Sequence, residues 1–313
     1  MELDIRPLAE TELAEAERIF RLAFGTFIGI PDPLTFTNDC AFIRSRWQID
    51  PSAAFAAVAD GQLVGTNFAA HWGTFSFFGP LTVRPDYWDR GVAHRLLDAT
   101  MERMDMWRVT HAGLFTFPQS PKHVALYQRY GFYPRFLTVI ASKPVTPRAA
   151  MRRTECFSAL SPGERSASVA ECRALTDSIH PGLDVSSEIE AVQQHALGDT
   201  VLLAEDGELA GFAVCHVGPG TEAGSGVCYA KFAAVRNGPL GPGRFERLLD
   251  LIERFAAMRG AQQLVAGVNT GRDAAYRALL ANGFHGSTHG LAMQRPNEPA
   301  FNGPEAFVLD DWR

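Results

Sequence analysis

The chain switches repeatedly between alternating and helical spacing of its apolar residues. Residues 3–6 alternate and read as a strand closed by Pro7. From Leu13, the apolar positions Ala16, Ile19, Phe20, Ala23 and Phe24 fall at helical intervals, which predicts a helix with Thr11 as its N-cap. Apolar runs at 54–59 and 63–72 flank Asp60-Gly61 and predict a tight hairpin. Residues 75–83 read as a third strand, broken by Pro85. A helix carrying Leu96, Leu97, Ala99, Met101 and Met104 follows. Then come a strand at 112–117, a helix at 121–130 closed by Gly131, and a strand at 136–142.

The second half repeats this order. A helix at 161–177 precedes runs at 200–205 and 209–217, which flank Asp206-Gly207, and a strand at 227–235. A Gly/Pro-rich turn at 237–243 leads into a helix with Phe245, Leu248, Leu249, Ile252 and Phe255. A strand at 264–268 and a helix at 272–281, closed by Gly283-Phe284, complete the unit. Hairpin, glycine loop and closing Gly-Phe recur at an offset of about 150 residues, a duplication at domain scale and too long for a solenoid. The expected fold class is α/β (α+β), with one unit at 1–145 and another at 156–295. A linker at 146–155 joins them, beside a basic cluster of Arg148, Arg152 and Arg153. An extension at 296–313 follows. Within it, Phe307-Val308-Leu309 reads as an edge strand or a segment across the junction, and Asp310, Asp311 and Trp312 as surface packing.

Composition narrows the partners. The 313 residues carry 29 basic and 35 acidic side chains, a net charge of −6, which argues against a nucleic-acid-binding face. The five cysteines are odd in number, and the nearest pair, Cys215 and Cys228, is 13 positions apart. That spacing excludes CxxC metal or redox sites and argues against a disulfide framework, so no metal is expected. No apolar run approaches the roughly 18–20 residues that a membrane span needs. The opening Met1-Glu2-Leu3-Asp4 lacks a basic, then apolar, leader pattern. A soluble cytoplasmic protein without membrane partners is expected.

The stretch from Val83 to Leu97 carries the candidate chemistry. A strand ends, the chain turns through Trp88-Asp89-Arg90-Gly91, and a helix starts at Val92-Ala93-His94. A helix N-terminus presents free N–H groups and the positive end of its dipole, which suits a phosphate. Gly91 and Ala93 leave room for close approach, and Arg90 and Arg95 add charge. By itself the same pattern also fits a solvated strand–helix turn.

The order of elements, with Arg90-Gly91-Val92-Ala93 and Ala125-Leu126-Tyr127-Gln128-Arg129-Tyr130-Gly131-Phe132, resembles the GNAT (GCN5-related N-acetyltransferase) superfamily. The resemblance implies two tandem GNAT-like domains, each a mixed, partly splayed sheet flanked by helices. It implies acetyl-CoA as co-substrate, held by Trp88, Asp89, Arg90, Gly91, Val92, Ala93 and His94. Main-chain contacts to the acyl-pantetheine arm fall on Leu81, Thr82 and Val83. Trp88 stands where the family's loop usually starts with Gln or Arg, and Ser120 where an Asn is frequent. Tyr127 falls on the family's general acid, which protonates the departing thiolate. No carboxylate lies in 75–83, so the general base is unassigned. His71 is the candidate by intrinsic pKa, with His111 and His123 as weaker ones.

In the second half Pro239 and Pro242 remove N–H groups from the loop, and Leu279 stands where Tyr127 does. That copy is expected to buttress the first or cover part of its cleft. Phe24, Phe27, Phe36, Trp72, Phe75, Phe77, Phe78, Phe115, Phe117 and Tyr130 concentrate in the first half, as core or, where they face a cleft, as the wall for an apolar acceptor. The reading is an N-acetyltransferase that moves an acetyl group directly to an amine of a small molecule or peptide, as a monomer or homodimer. A thioester decarboxylase of the same fold and a non-catalytic acyl-CoA-binding module are the alternatives.

Overall fold

The computed structural model describes residues 2–146, 151–152 and 155–313. Arg148 and Arg153 of the basic cluster, and most of the expected linker, lie outside them. The first half runs β1 (Asp4–Pro7), α1 (Leu13–Ile28), α2 (Phe42–Ile49), β2 (Ala54–Ala59), β3 (Gln62–Trp72), β4 (Phe75–Phe78), β5 (Thr82–Val83), α3 (Val92–Trp107), β6 (His111–Thr116), α4 (Pro121–Gln128) and β7 (Tyr133–Pro144). The second runs α5 (Pro162–Ile179), α6 (Ser186–Gln194), β8 (Gly198–Glu205), β9 (Glu208–Gly218), β10 (Gly224–Val235), α7 (Gly241–Met258), β11 (Gln263–Asn269), α8 (Asp273–Ala281), β12 (His285–Arg295) and β13 (Val308–Leu309).

Both hairpins turn where the sequence places them, with Asp60-Gly61 and Asp206-Gly207 in left-handed conformation. Several readings change. Thr11 does not cap α1; a short 3-10 turn precedes the helix, and the Glu12 carboxylate instead accepts from the Ala9 N–H and from Arg6. The strand expected at 75–83 is two strands, parted at Gly79-Pro80, with β5 paired to β3 alone. β7 is longer than its apolar stretch because it is paired along both edges, by β12 and β11. Helix α6 and strand β12, which have weak periodicity, were not read from the sequence.

The strands form one continuous sheet in the order β1-β2-β3-β4-β6-β12-β7-β11-β10-β9-β8. The last strand of each half crosses into the other: β12 lies between β6 and β7, and β7 lies between β12 and β11. The two halves therefore share an uninterrupted hydrogen-bonded sheet. The cores on either side are Leu-, Phe- and Ala-rich, and one of them joins Trp72, Phe75 and Phe77 to Phe212, Phe232 and Trp312 across the halves.

Only two neighbouring pairs on this path are parallel, β4 with β6 and β10 with β11. Each runs together for a few residues and then separates. In the second half β13 fills the gap, taking Ala233 and Ala234 of β10 as partners. The tail is thus internal. Asp310, Asp311 and Trp312 are buried, which corrects the expectation of surface packing. Gly113 and Gly267, in β6 and β11, leave the space that the Trp312 ring and the Asp311 side chain occupy. Fully buried Arg272, just before α8, holds the tail through the Phe301 and Val308 carbonyls and a bidentate pair with Asp310. Removing one partner of a buried pair strands the other charge. Arg272→Ala is expected to cost about 3–5 kcal/mol in urea unfolding, and a joint Arg272→Met, Asp310→Leu variant much less.

Candidate active site

In the first half the corresponding gap is open. β4 and β6 pair only through Phe75, Ser76 and Phe77 with His111, Ala112 and Gly113. Past Gly79-Pro80 the chain swings to β3, where Gly65 pairs with Val83 and Thr66 with Thr82. A cavity of about 740 Å³ opens along the gap, bounded by Leu81 and Val83, by the loop at Trp88, Asp89, Gly91, Ala93 and His94, and by Tyr127.

The loop end is built for an anion. Asp89 and Gly91 are both left-handed, so the chain curls into α3 with Gly91 at the N-cap position. No side chain caps α3, so its first N–H groups have no intrahelical partner. An added Cβ at Gly91 would meet nothing within 4 Å, so the glycine answers the backbone angle. Val92 turns its side chain into the core, and only its main chain faces the loop. The Trp88 indole donates to the Val83 carbonyl at 2.7 Å and so ties the loop to the end of β5. Arg90 stacks over the Tyr87 ring at 5.0 Å and is not among the cavity's walls. Two cations that the sequence reading missed, Lys122 and Arg129, do line it. Lys122 pairs with Asp89. Both lie on or just after α4, far from the loop in sequence, and no local signal marks them.

Tyr127 lies on α4, buried against the Phe78 ring at 5.7 Å. Burial pushes its phenol well above the ordinary value, and a hydrogen bond with Thr116 opposes this only in part. At neutral pH the hydroxyl is a proton donor and not a base. His94 and Tyr130 join in a small network in which the Tyr130 hydroxyl meets the Asp98 carboxylate at 2.9 Å.

The other candidates scatter. Ser120 caps α4 by accepting from the His123 N–H, and it does not line the cavity. Thr82 is buried, its hydroxyl meets that of Thr66, and it is not among the cavity's walls. His71 is stacked on Trp107 with ring centroids 4.6 Å apart and lies outside the Tyr127 cavity. His111 packs against His180. His123 does line the cavity, between Phe27 and Phe117, and burial foremost lowers its pKa. Phe24, Phe27 and Phe117 form an aromatic wall of the cavity. Phe75, Phe77 and Phe78 are core.

A mixed sheet parted between two parallel strands, with an uncapped helix N-terminus at one end of the gap, defines an acetyltransferase-type fold. Residues 17–132 match the model of the acetyltransferase (GNAT) family. The whole chain is similar to a candidate acetyltransferase from Pyrococcus horikoshii, at 15% identity and TM-score 0.67 over 99% of this chain and 95% of that one. It is also similar to a GCN5-related N-acetyltransferase from Sphaerobacter thermophilus, at 15% identity and TM-score 0.61 over 95% and 96%. At these identities the likeness is one of fold, and it extends over both halves. No curated protein matches the chain. Among the described residues no helix is long and apolar enough to cross a membrane.

In the second half the loop at Asn237, Gly238 and Pro239 borders a cavity of about 610 Å³ whose other wall is the tail at Phe301, Pro304 and Phe307, but the gap between the parallel strands is filled. β13 occupies that gap, Phe307 packs over Gly241 at the start of α7, and Pro242 lies in that helix's first turn. Calorimetric titration with CoA is expected to give no more than one site per chain; two would overturn this account of the tail.

Proposed function

We propose that the protein is an acetyl-CoA-dependent N-acetyltransferase acting by direct transfer. The observation that carries this reading is the open gap between β5 and β6, with the uncapped start of α3 at one end and a buried Tyr127 on its wall. The pyrophosphate sits on the main chain from Gly91 to Ala93. The pantetheine arm runs along Leu81 and Val83 as a surrogate strand, taking up main-chain groups that β6 leaves without a partner.

A neutral amine attacks the thioester carbonyl, and the tetrahedral intermediate collapses with cleavage of the carbon–sulfur bond. Tyr127 gives its proton to the departing sulfur, which leaves as the CoA thiol. The proton lost by the amine nitrogen restores the phenol through solvent. Burial keeps the proton on the phenol at neutral pH but also makes it a weaker acid, so its transfer is drawn by the negative charge that develops on the departing sulfur.

Purified protein given acetyl-CoA and a panel of amines should release free thiol. Tyr127→Phe should lower kcat/KM by about 10²–10⁴ while CoA binding is kept. Thiol release that is absent across the panel, or equal in wild type and Tyr127→Phe, would remove the assignment.

A further inference from the structure

Direct transfer to an amine needs two proton movements. The nitrogen that gains a bond to carbon must lose a proton, and the departing sulfur must gain one. Both atoms are attached to the same carbon, so the groups that give and take these protons must face one small space. In the acetyl-transfer reading Tyr127 gives. The strand at 75–83 holds no carboxylate, so the group that takes must stand on another wall of the Tyr127 cavity.

Few side chains there can accept a proton. Asp89 is the carboxylate among them, and it is paired with Lys122. Tyr87 lies against the guanidinium groups of Arg84 and Arg90. His94 stands in the first turn of α3, beside the amides that suit the pyrophosphate, and its Nδ1 is 3.2 Å from the Tyr130 hydroxyl. His123 remains. Its main-chain N–H donates to Ser120, while its ring makes no hydrogen bond among the described residues. The ring is held by Phe27 of α1, with centroids 4.8 Å apart, and by Phe117, at 6.2 Å.

Helical spacing brings His123 to Tyr127. The two are four residues apart on α4, which places their Cβ atoms about 5–6 Å apart on one face of the helix. Both line the cavity. Thr116, the last residue of β6, meets the Tyr127 hydroxyl, and the next residue, Phe117, packs on the His123 ring. One strand end therefore fixes both side chains. The groups that face the imidazole from α1 and from the end of β6 are aromatic, and the charge that acts on it is that of Lys122. Burial first, and the Lys122 charge second, lower its pKa. At neutral pH the ring is uncharged and can accept a proton.

We infer, on the acetyl-transfer reading, that His123 is the general base, taking the proton from the acceptor nitrogen while Tyr127 gives one to the sulfur. As the nitrogen bonds to the carbonyl carbon, positive charge builds on it and its N–H becomes acidic. That proton passes to the His123 ring. The carbon–sulfur bond breaks, and the sulfur takes the Tyr127 proton. The imidazolium returns its proton to the phenoxide through solvent, which resets both groups. The aromatic walls of Phe24, Phe27 and Phe117 make phenethylamine a suitable acceptor probe.

The test is thiol release from acetyl-CoA across an amine panel that includes phenethylamine, by wild type, His123→Ala and His123→Gln, with CoA affinity followed by calorimetry. Both variants should lower kcat by about 10²-fold or more and leave CoA affinity unchanged. Added imidazole should restore part of the His123→Ala rate. Methylimidazole, a stronger base, should restore more, and pyrazole, a much weaker one, hardly any. A His123→Gln enzyme as active as wild type overturns the inference, as does a His123→Ala rate that no azole restores or that all three restore alike. Loss of CoA affinity in both variants makes His123 a packing residue and overturns it too. Thiol release that wild type shows and both variants keep removes the base alone. Wild type without thiol release across the panel removes the transferase reading, and the base with it.

Discussion

Buried main-chain N–H and carbonyl groups must find partners, and a parallel strand pair that separates midway leaves two rows of them facing each other. This chain makes that separation twice. In the second half it answers internally, because β13 slides between β10 and β11 and Arg272 pins the tail behind it. In the first half the chain leaves β5 on β3 and β6 on β12, with a cavity between. The two halves thus differ in that one gap is filled by the tail and the other opens onto a cavity.

The exchange of β7 and β12 builds that gap into one sheet. Each half would end at an exposed edge beside its own parallel pair, and each closes the other's edge. The walls of the open gap therefore belong to one sheet running through the whole molecule. The same exchange brings α6 and β10 against the back of β4, so that Trp72 reaches Glu188 and Arg46 reaches Glu222 across the halves. Buried charges of this kind contribute little net stability. They define a polar face at the one place in the first core where the strand is interrupted.

Much of the first half was legible because its signals are local. Asp60-Gly61, the glycine of the α3 loop and the spacing of Leu96, Leu97 and Met101 each specify an element within a few residues. Tyr127 was legible through resemblance, since its burial and its hydrogen bond with Thr116 are tertiary. Lys122, Arg129 and Glu188 were not, because nothing within their own helices distinguishes them from ordinary surface charges. The pairing of β12, a strand rich in Gly, His and Thr, depends on contacts with β6 and β7 rather than on its own pattern.

By itself, the sequence determined the order of elements, their repetition, and the glycine loop that opens α3, because turn chemistry and hydrophobic period act over a few residues. It also placed Pro239 and Pro242 in the second loop, which removes N–H groups there. Only the tertiary structure decided which strands cross between the halves, that the tail is internal, and which charges meet behind β4. Those outcomes depend on pairing partners more than a hundred residues apart, such as Arg46 with Glu222. No local propensity encodes them; they follow from closing two sheet edges and filling one of two equivalent gaps.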